Sequence, residues 1–268
     1  MAKRRLDTLL AERGLFPSRS RAAASVMAGE VLVGTGRRRA QKPGELIDAD
    51  ETVSVASKLP FASRGGIKLA NALAASGLDV EGRKVLDVGA STGGFTDCLL
   101  QRGAREVIAL DVGYGTLDYR LRANPRVRVL ERTNARALTP QMLEGEAPDL
   151  ATVDVSFISL AKVLGPVLAC LSPRYDVLAL VKPQFEVGRG RVGKGGVVRE
   201  PSERRAALVA VGEAAEELGA LVRGYLSSGL PGPKGNRETF AWLCDRASSG
   251  TRRRTREQLE AMAREAEP

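Results

Sequence analysis

Apolar positions fall into two regimes that change near residue 60. In the first, the runs are short. Leu6, Leu9 and Leu10 follow one helical face and stop at Gly14, and Ser18 or Ser20 is placed to cap a second helix through residues 22–24, Val26 and Met27, ending at Gly29. Val31-Leu32-Val33 reads as a strand entering a turn at Gly34. Leu46-Ile47 and Val53-Ser54-Val55 read as further strands beyond a basic hairpin at Arg37-Arg38-Arg39. The pattern predicts a small α+β module over residues 1–58, too slight to hold a large core of its own.

Residues 59–63, with Pro60, read as a linker. Beyond them the apolar runs are continuous, as in strands buried on both faces. Strands are expected at 85–88, 107–111, 127–130, 150–155, 177–181, 221–226 and 239–243. Helices fit near 94–102, 117–122, 159–171 and 202–219. This alternation predicts an α/β domain over 64–250, with a Rossmann-like, doubly wound parallel sheet. Residues 251–268 are charged and read as a surface helix or a frayed tail.

Composition narrows the chemistry. The net charge is +9, and residues 1–60 carry eleven Lys/Arg against seven Asp/Glu. A basic excess favours a polyanion, nucleic acid or an anionic membrane; arginine-rich codon usage is the competing explanation. The chain has no His, which removes Ser-His-Asp triads and most zinc sites, so no metal is expected. Cys98, Cys170 and Cys244 are scattered, as reduced core thiols of a cytoplasmic protein are. Neither a secretory leader nor an apolar run of about 18 residues is present, so no membrane partner is expected.

The segment Asp87-Val88-Gly89-Ala90-Ser91-Thr92-Gly93-Gly94-Phe95 follows a strand and opens a helix, as a ligand-binding glycine turn must. Its G-x-x-x-G-G order differs from the dinucleotide pattern. Asp87 would repel a pyrophosphate and suits the ammonium of a methionine moiety. Asp111, at the end of the next strand, is placed to accept ribose hydroxyls. The two carboxylates favour S-adenosylmethionine as cofactor, with Gly89, Ala90, Ser91, Gly93, Gly94, Phe95 and Asp154 as further candidate contacts.

Asp154 and Lys182 end apolar runs, Lys68 follows Ser63-Arg64-Gly65-Gly66, and Glu238 opens the last strand. A lysine there serves equally well by reaching water, and an aspartate by capping a helix. Methyl transfer to a hydroxyl gives the set a joint purpose. With no His, a lysine is the available base, and a neighbouring cation disfavours its charged form. The expected assignment has Lys182 taking the proton, Lys68 orienting the hydroxyl, and Asp154 and Glu238 positioning both amines.

The order Lys68, Asp154, Lys182, Glu238 resembles the tetrad of FtsJ-like ribose 2′-O-methyltransferases. The glycine loop, Asp111-Val112-Gly113-Tyr114-Gly115, Asp154-Val155-Ser156-Phe157-Ile158-Ser159 and Lys182-Pro183-Gln184-Phe185-Glu186 look like the TlyA family, and residues 4–60 are similar to its S4-like RNA-binding module. The resemblance implies methylation of cytidine ribose in 23S rRNA of the 50S subunit, with 16S rRNA of the 30S subunit as a further target, and a link to capreomycin and viomycin susceptibility. A non-catalytic RNA-binding or ribosome-assembly protein and a haemolysin-like protein are the alternative readings; a monomer is the expected state. Arg4, Arg5, Arg19, Arg21, Arg37, Arg38, Arg39 and Arg64 are the expected RNA contacts. The glycine-rich basic loop at 188–196 is expected to be flexible and to close over RNA or cofactor.

Overall fold

The structure, a computed structural model, describes residues 3–27, 29–55, 59–232 and 234–267, the side chains of Arg189 and Ser248 excepted. Residues 56–58, at the end of the expected first module, lie outside the described residues, as do Met1 and Ala2. The chain divides into two compact units between Ser63 and Arg64.

The first unit runs β1 (Lys3–Arg5), α1 (Leu6–Glu12), α2 (Arg19–Met27), β2 (Val31–Val33), β3 (Arg38–Arg39), β4 (Leu46–Asp48) and β5 (Val53–Val55). Strand β2 lies between β3 and β5, and β1 pairs antiparallel with β4. The pattern gives no sign of β1, because Lys-Arg-Arg is exposed throughout and its partner alone makes it a strand. Leu6, Leu9, Leu10, Ala22, Val26, Val31 and Ile47 form the small core.

The second unit opens with α3 (Arg64–Ser76), β6 (Lys84–Val88), α4 (Gly94–Gln101), β7 (Glu106–Leu110), α5 (Tyr119–Arg122), β8 (Val127–Leu130), α6 (Pro140–Leu143) and β9 (Leu150–Val153). It continues with α7 (Leu164–Leu168), β10 (Asp176–Val181), α8 (Pro183–Glu186), α9 (Pro201–Glu217), β11 (Ala220–Ser227), β12 (Thr239–Asp245), α10 (Arg246–Ser249) and α11 (Arg256–Ala266). The seven strands stand in the order β11-β12-β10-β9-β6-β7-β8. From β10 to β8 every pairing is parallel, but β12 runs antiparallel to both its neighbours. The expected doubly wound parallel sheet thus carries one reversed strand: segment 228–238 is too short for the helical crossover a parallel neighbour requires.

Two further departures have local causes. Helix α3 escapes the pattern because it opens Arg-Gly-Gly, yet it buries Leu69, Ala72 and Leu73 on one face. The expected helix over 159–171 is a 3-10 turn (Leu160–Lys162) followed by α7, since Pro166 is tolerated only in a helix's first turn. Of the two forms expected for the charged C-terminus, the structure has the helix. Helix α11 carries a capping box at Thr255 and Gln258 and buries Leu259 and Ala263. Glu267 accepts from Arg204 Nε at 2.9 Å and from Thr239 Oγ1 at 3.2 Å. All three cysteines are free and buried, and burial pushes the Cys98 thiol up to about 12. Among the described residues no helix is long and apolar enough to cross a membrane.

Candidate active site

Parallel strands deliver their C-terminal ends to one rim. Here β6, β7, β9 and β10 deliver Gly89, Asp111, Asp154 and Lys182. The reversed β12 begins at the same rim, so Glu238 joins them. A cavity of about 420 Å³ lies there, within the range of roughly 300–1,000 Å³ usual for small-ligand sites. Gly89, Ser91, Asp111, Asn134, Asp154 and Phe157 line it, with an apolar wall that includes Leu110, Val155 and Ile158.

Gly89 has φ 86°, and a Cβ there would collide with the Asp154 carbonyl, so the close approach of β6 and β9 requires glycine. Ser91 N–H donates to Asp111 Oδ2 at 2.8 Å and Gly113 N–H to Asp111 Oδ1 at 2.6 Å. This fixes the carboxylate while leaving it acceptor capacity towards the cavity.

The remaining loop residues act differently from expectation. Ala90 turns inward, its N–H donating to Leu110 O at 3.0 Å. Gly93, at φ 92°, is the N-cap of α4. Gly94 and Phe95 are buried, Phe95 packing on Phe240 with ring centroids 5.8 Å apart. These four shape the loop without lining the cavity. Asp87 needs the larger correction. It is fully buried, and its carboxylate accepts from Thr96 Oγ1 at 2.6 Å and Thr152 Oγ1 at 2.9 Å. Burial pushes it up to about 6 against the opposing pull of the two hydroxyls. It braces β6 against α4 and β9, and is not a lining residue of the cavity.

The four tetrad candidates meet as two ion pairs. Lys182 Nζ lies 2.5 Å from Asp154 Oδ1 and donates to Ser156 Oγ at 2.9 Å. Lys68 Nζ lies 2.5 Å from Glu238 Oε2, both residues buried. Val181 pairs with Thr239 across β10 and β12, so Lys182 and Glu238 occupy the next rung, at the rim. A Cβ at Gly232 would collide with the Glu238 carboxylate, so that glycine leaves room for the second pair.

Several site residues escaped the sequence reading. Asn134, which follows β8, faces the cavity and accepts from Arg136 N–H at 3.0 Å; only its place after a strand end marks it. Phe157 is 92% exposed, has φ 66°, and stands 5.3 Å from the Phe185 ring. Positive φ in an aromatic residue is strained and tends to occur at functional sites. Glu186 accepts from Ser159 Oγ at 2.6 Å and Leu160 N–H at 2.9 Å, tying the Phe157 loop to α8; burial raises its pKa. The loop at 188–196, expected to be flexible, is tied at its far end. Gly193 bridges Val197, and Asn236 donates to Gly196 O at 2.8 Å while accepting from Val198 N–H at 2.9 Å.

With this geometry in place, comparison with known proteins is decisive. Residues 61–244 match the FtsJ-like methyltransferase family and residues 4–53 the S4 domain. The 16S/23S rRNA (cytidine-2′-O)-methyltransferase TlyA of Mycobacterium tuberculosis is 49% identical over 255 residues, covering 93% of this chain and 94% of that protein. The chain belongs to the TlyA family. Hemolysin A of Brachyspira hyodysenteriae is 38% identical, covering 88% of this chain and 98% of its own. A solved Streptococcus thermophilus structure carrying a hemolysin name superposes with a TM-score of 0.76 at 40% identity, covering 99% of this chain and 96% of that one.

The S4 domain of this TlyA-family chain holds its arginines in contrasting ways. Arg4 pairs with Glu12 at 2.5 Å and Arg38 with Glu45 at 2.5 Å. Arg5 and Arg19 share the buried Asp7, at 2.7 and 3.2 Å. The Arg5 hydrogen bond leads in holding the Asp7 carboxyl down to about 2. Arg39 donates to Gly29 O. Arg21 and Arg37 are exposed and have no side-chain partner among the described residues. Exposed ion pairs are worth about 0–1 kcal/mol, so the Arg4–Glu12 pair, open to solvent on both sides, is readily exchanged for another anion. In the methyltransferase unit, Arg64 donates to Pro231 O at 3.4 Å.

Proposed function

We propose that this chain transfers the methyl group of S-adenosylmethionine to the 2′-hydroxyl of a cytidine in ribosomal RNA. The reading rests above all on the two lysine–carboxylate pairs at the C-terminal rim of the sheet, of which Asp154 also lines the cavity while Lys68, Lys182 and Glu238 lie outside its lining. The TlyA name of the Mycobacterium relative adds the RNA and the base. We take 23S rRNA as a target and 16S rRNA as a further one, encountered in ribosomal subunits in the cytoplasm by a monomeric enzyme.

The cavity residues fit the cofactor. Gly89 leaves space against Asp154, and Ser91, Asp111 and Asn134 present polar atoms within an otherwise apolar wall. Asp111 would hold the ribose hydroxyls and the Gly89 turn the methionine end. When bound, the cofactor supplies an electrophilic methyl group. The protein's part is to fix the acceptor hydroxyl in line and remove its proton. Lys182 is the proton acceptor in its amine form, held by Asp154 and Ser156; it takes up the hydroxyl proton as the O–CH3 bond forms and the bond from methyl to sulfur breaks, and ends as the ammonium paired with Asp154. Lys68, fixed by Glu238 at the adjacent strand end, orients the hydroxyl.

A ribose in folded RNA reaches a recessed site most readily when its nucleotide is turned out of the stack, and an exposed aromatic ring compensates for the lost stacking. Phe157, at the cavity mouth, is that ring. We assign residues 1–58 to anchoring RNA phosphates through Arg4, Arg5, Arg19, Arg21, Arg37, Arg38 and Arg39, residues 59–63 to the linker, and residues 64–250 to the chemistry, with Arg64 at its entrance. Methyl transfer from labelled S-adenosylmethionine to separated 30S and 50S subunits tests the proposal. Labelled rRNA in at least one subunit is expected, and no transfer to either overturns it.

A further inference from the structure

A second cavity, of about 570 Å³, opens at the opposite rim of the seven-stranded sheet. Asp176 is the first residue of β10, Arg83 immediately precedes β6, and Asp245 ends the reversed β12. Strands of five or six residues at about 3.3 Å each put roughly 15–20 Å of sheet between the two cavities. A ligand held here is remote from the methyl-transfer site.

Four arginines line this cavity, Arg83, Arg174, Arg223 and Arg254, against the carboxylates of Asp176 and Asp245. Arg83 is engaged by Asp149 at 3.1 Å and Asp176 at 3.0 Å. The other oxygen of Asp176 accepts from Trp242 Nε1 at 3.0 Å, and Asp245 accepts from Ala247 N–H at 3.1 Å. Asp176 is thus committed to Arg83 and Trp242, whereas Arg174, Arg223 and Arg254 make no ion pair among the described residues and share the cavity with the single charge of Asp245. Arg254 offers only Nε, to Val222 O at 3.4 Å. Arg223 lies over the Trp242 ring, 4.8 Å from its centroid, which leaves its N–H groups available. Arg174 is exposed, and its side chain makes no hydrogen bond or ion pair among the described residues.

Three guanidinium charges against the one carboxylate of Asp245 leave a positive excess that an added anion relieves. The forked N–H groups of guanidinium match phosphate oxygens in particular. The walls are mostly polar, and Arg174 and Arg223 reach solvent, which suits the oxygens of a phosphate better than a buried base. We propose that this cavity is a phosphate-binding site and that its phosphate belongs to the backbone of the RNA substrate, giving the methyltransferase unit an RNA anchor of its own. The RNA source rests on the function proposed above; the phosphate chemistry does not.

Trp242 is the chain's single tryptophan and reports directly on the site. The full-length protein is titrated with inorganic phosphate at constant ionic strength while its fluorescence is followed. The same is done for Arg174→Ala/Arg254→Ala, which keeps Arg223 over the ring, and for the charge-preserving Arg174→Lys/Arg254→Lys. In parallel, ribosomal RNA binding is measured against salt, with S-adenosylmethionine affinity as the control for folding. The proposal expects a saturable fluorescence change, lost in the alanine variant and partly kept in the lysine variant. It also expects RNA affinity to fall roughly tenfold and the salt slope to lessen by about 2, one for each arginine that no longer neutralises a phosphate, at unchanged cofactor affinity. A phosphate response with unchanged RNA affinity keeps the site and refutes its RNA source. Fluorescence indifferent to phosphate, with RNA affinity unchanged, overturns the proposal. If phosphate binds but no rRNA is methylated, the proposed function fails and the site stands.

Discussion

Lys68 and Glu238 are 170 residues apart in the chain and 2.5 Å apart in the fold. One comes from the first helix of the methyltransferase unit and the other from the rim end of its reversed strand. Their pairing binds α3 to the start of β12, at the rim where the neighbouring β10 delivers Lys182. Breaking a buried pair from one side leaves an uncompensated charge, at a cost of about 3–5 kcal/mol. Glu238→Ala should therefore lose both stability and activity. Lys68→Met/Glu238→Leu should regain much of the stability in urea denaturation and none of the methylation.

Lys182→Ala should lower kcat by roughly 10²–10⁴-fold, the contribution general for a positioned acid or base, with cofactor affinity retained. Ser156→Ala, which removes only one partner of Lys182, should give a much smaller loss. Single-turnover methylation with saturating RNA separates the two cases, and equal rates for wild type and Lys182→Ala would remove Lys182 as the proton acceptor.

Gly89→Ala places a Cβ against the Asp154 carbonyl at the cavity wall. The two strand ends must then part, so S-adenosylmethionine affinity should fall at least tenfold while RNA affinity stays unchanged. Calorimetric titration with S-adenosylmethionine and with an rRNA fragment reads both.

Phe157→Ala should leave cofactor affinity unchanged and reduce methylation of structured RNA strongly. Phe157→Trp should retain most activity, since stacking is worth about 1–3 kcal/mol per base and tolerates a change of ring. An alanine variant as active as wild type would separate this ring from nucleotide capture.

Asp87 imposes a pH dependence whose sign is fixed. Its ordinary value is about 3.9, and burial moves it to about 6 in the fold. The folded state therefore binds this proton more tightly than the unfolded state. The resulting stabilisation is fully present below about pH 4 and is lost as pH rises through about 6, a change on the order of 3 kcal/mol. Asp87→Asn should remove that step, so its stability relative to wild type should improve between about pH 4 and pH 7. Urea midpoints across that interval check it.

The rim of the sheet was readable because its chemistry sits where apolar runs stop. Asp111, Asp154, Lys182 and Glu238 each adjoin the end of a strand that periodicity reveals. Interactions between distant segments were not readable. Nothing local tells that Lys68 is buried, because its burial depends on Glu238. Asp87 reads as a ligand contact until Thr96 and Thr152 are seen to satisfy it. The direction of β12 is absent from its alternation, since a strand's pattern is the same in both senses. The clamp of Asn236 on segment 196–198 joins two stretches that each look like open loop.

The position of the transferred methyl group tests the central claim most directly. Ribosomal subunits are methylated with labelled S-adenosylmethionine by wild type and by Lys182→Ala, and the rRNA is digested to nucleosides for mass analysis. Two lysine–carboxylate pairs at the rim of the sheet, joined to the cavity through Asp154, predict label in 2′-O-methylcytidine with wild type and its near absence with Lys182→Ala. Label on a base nitrogen or carbon, or equal 2′-O-methylcytidine from both proteins, would contradict the account.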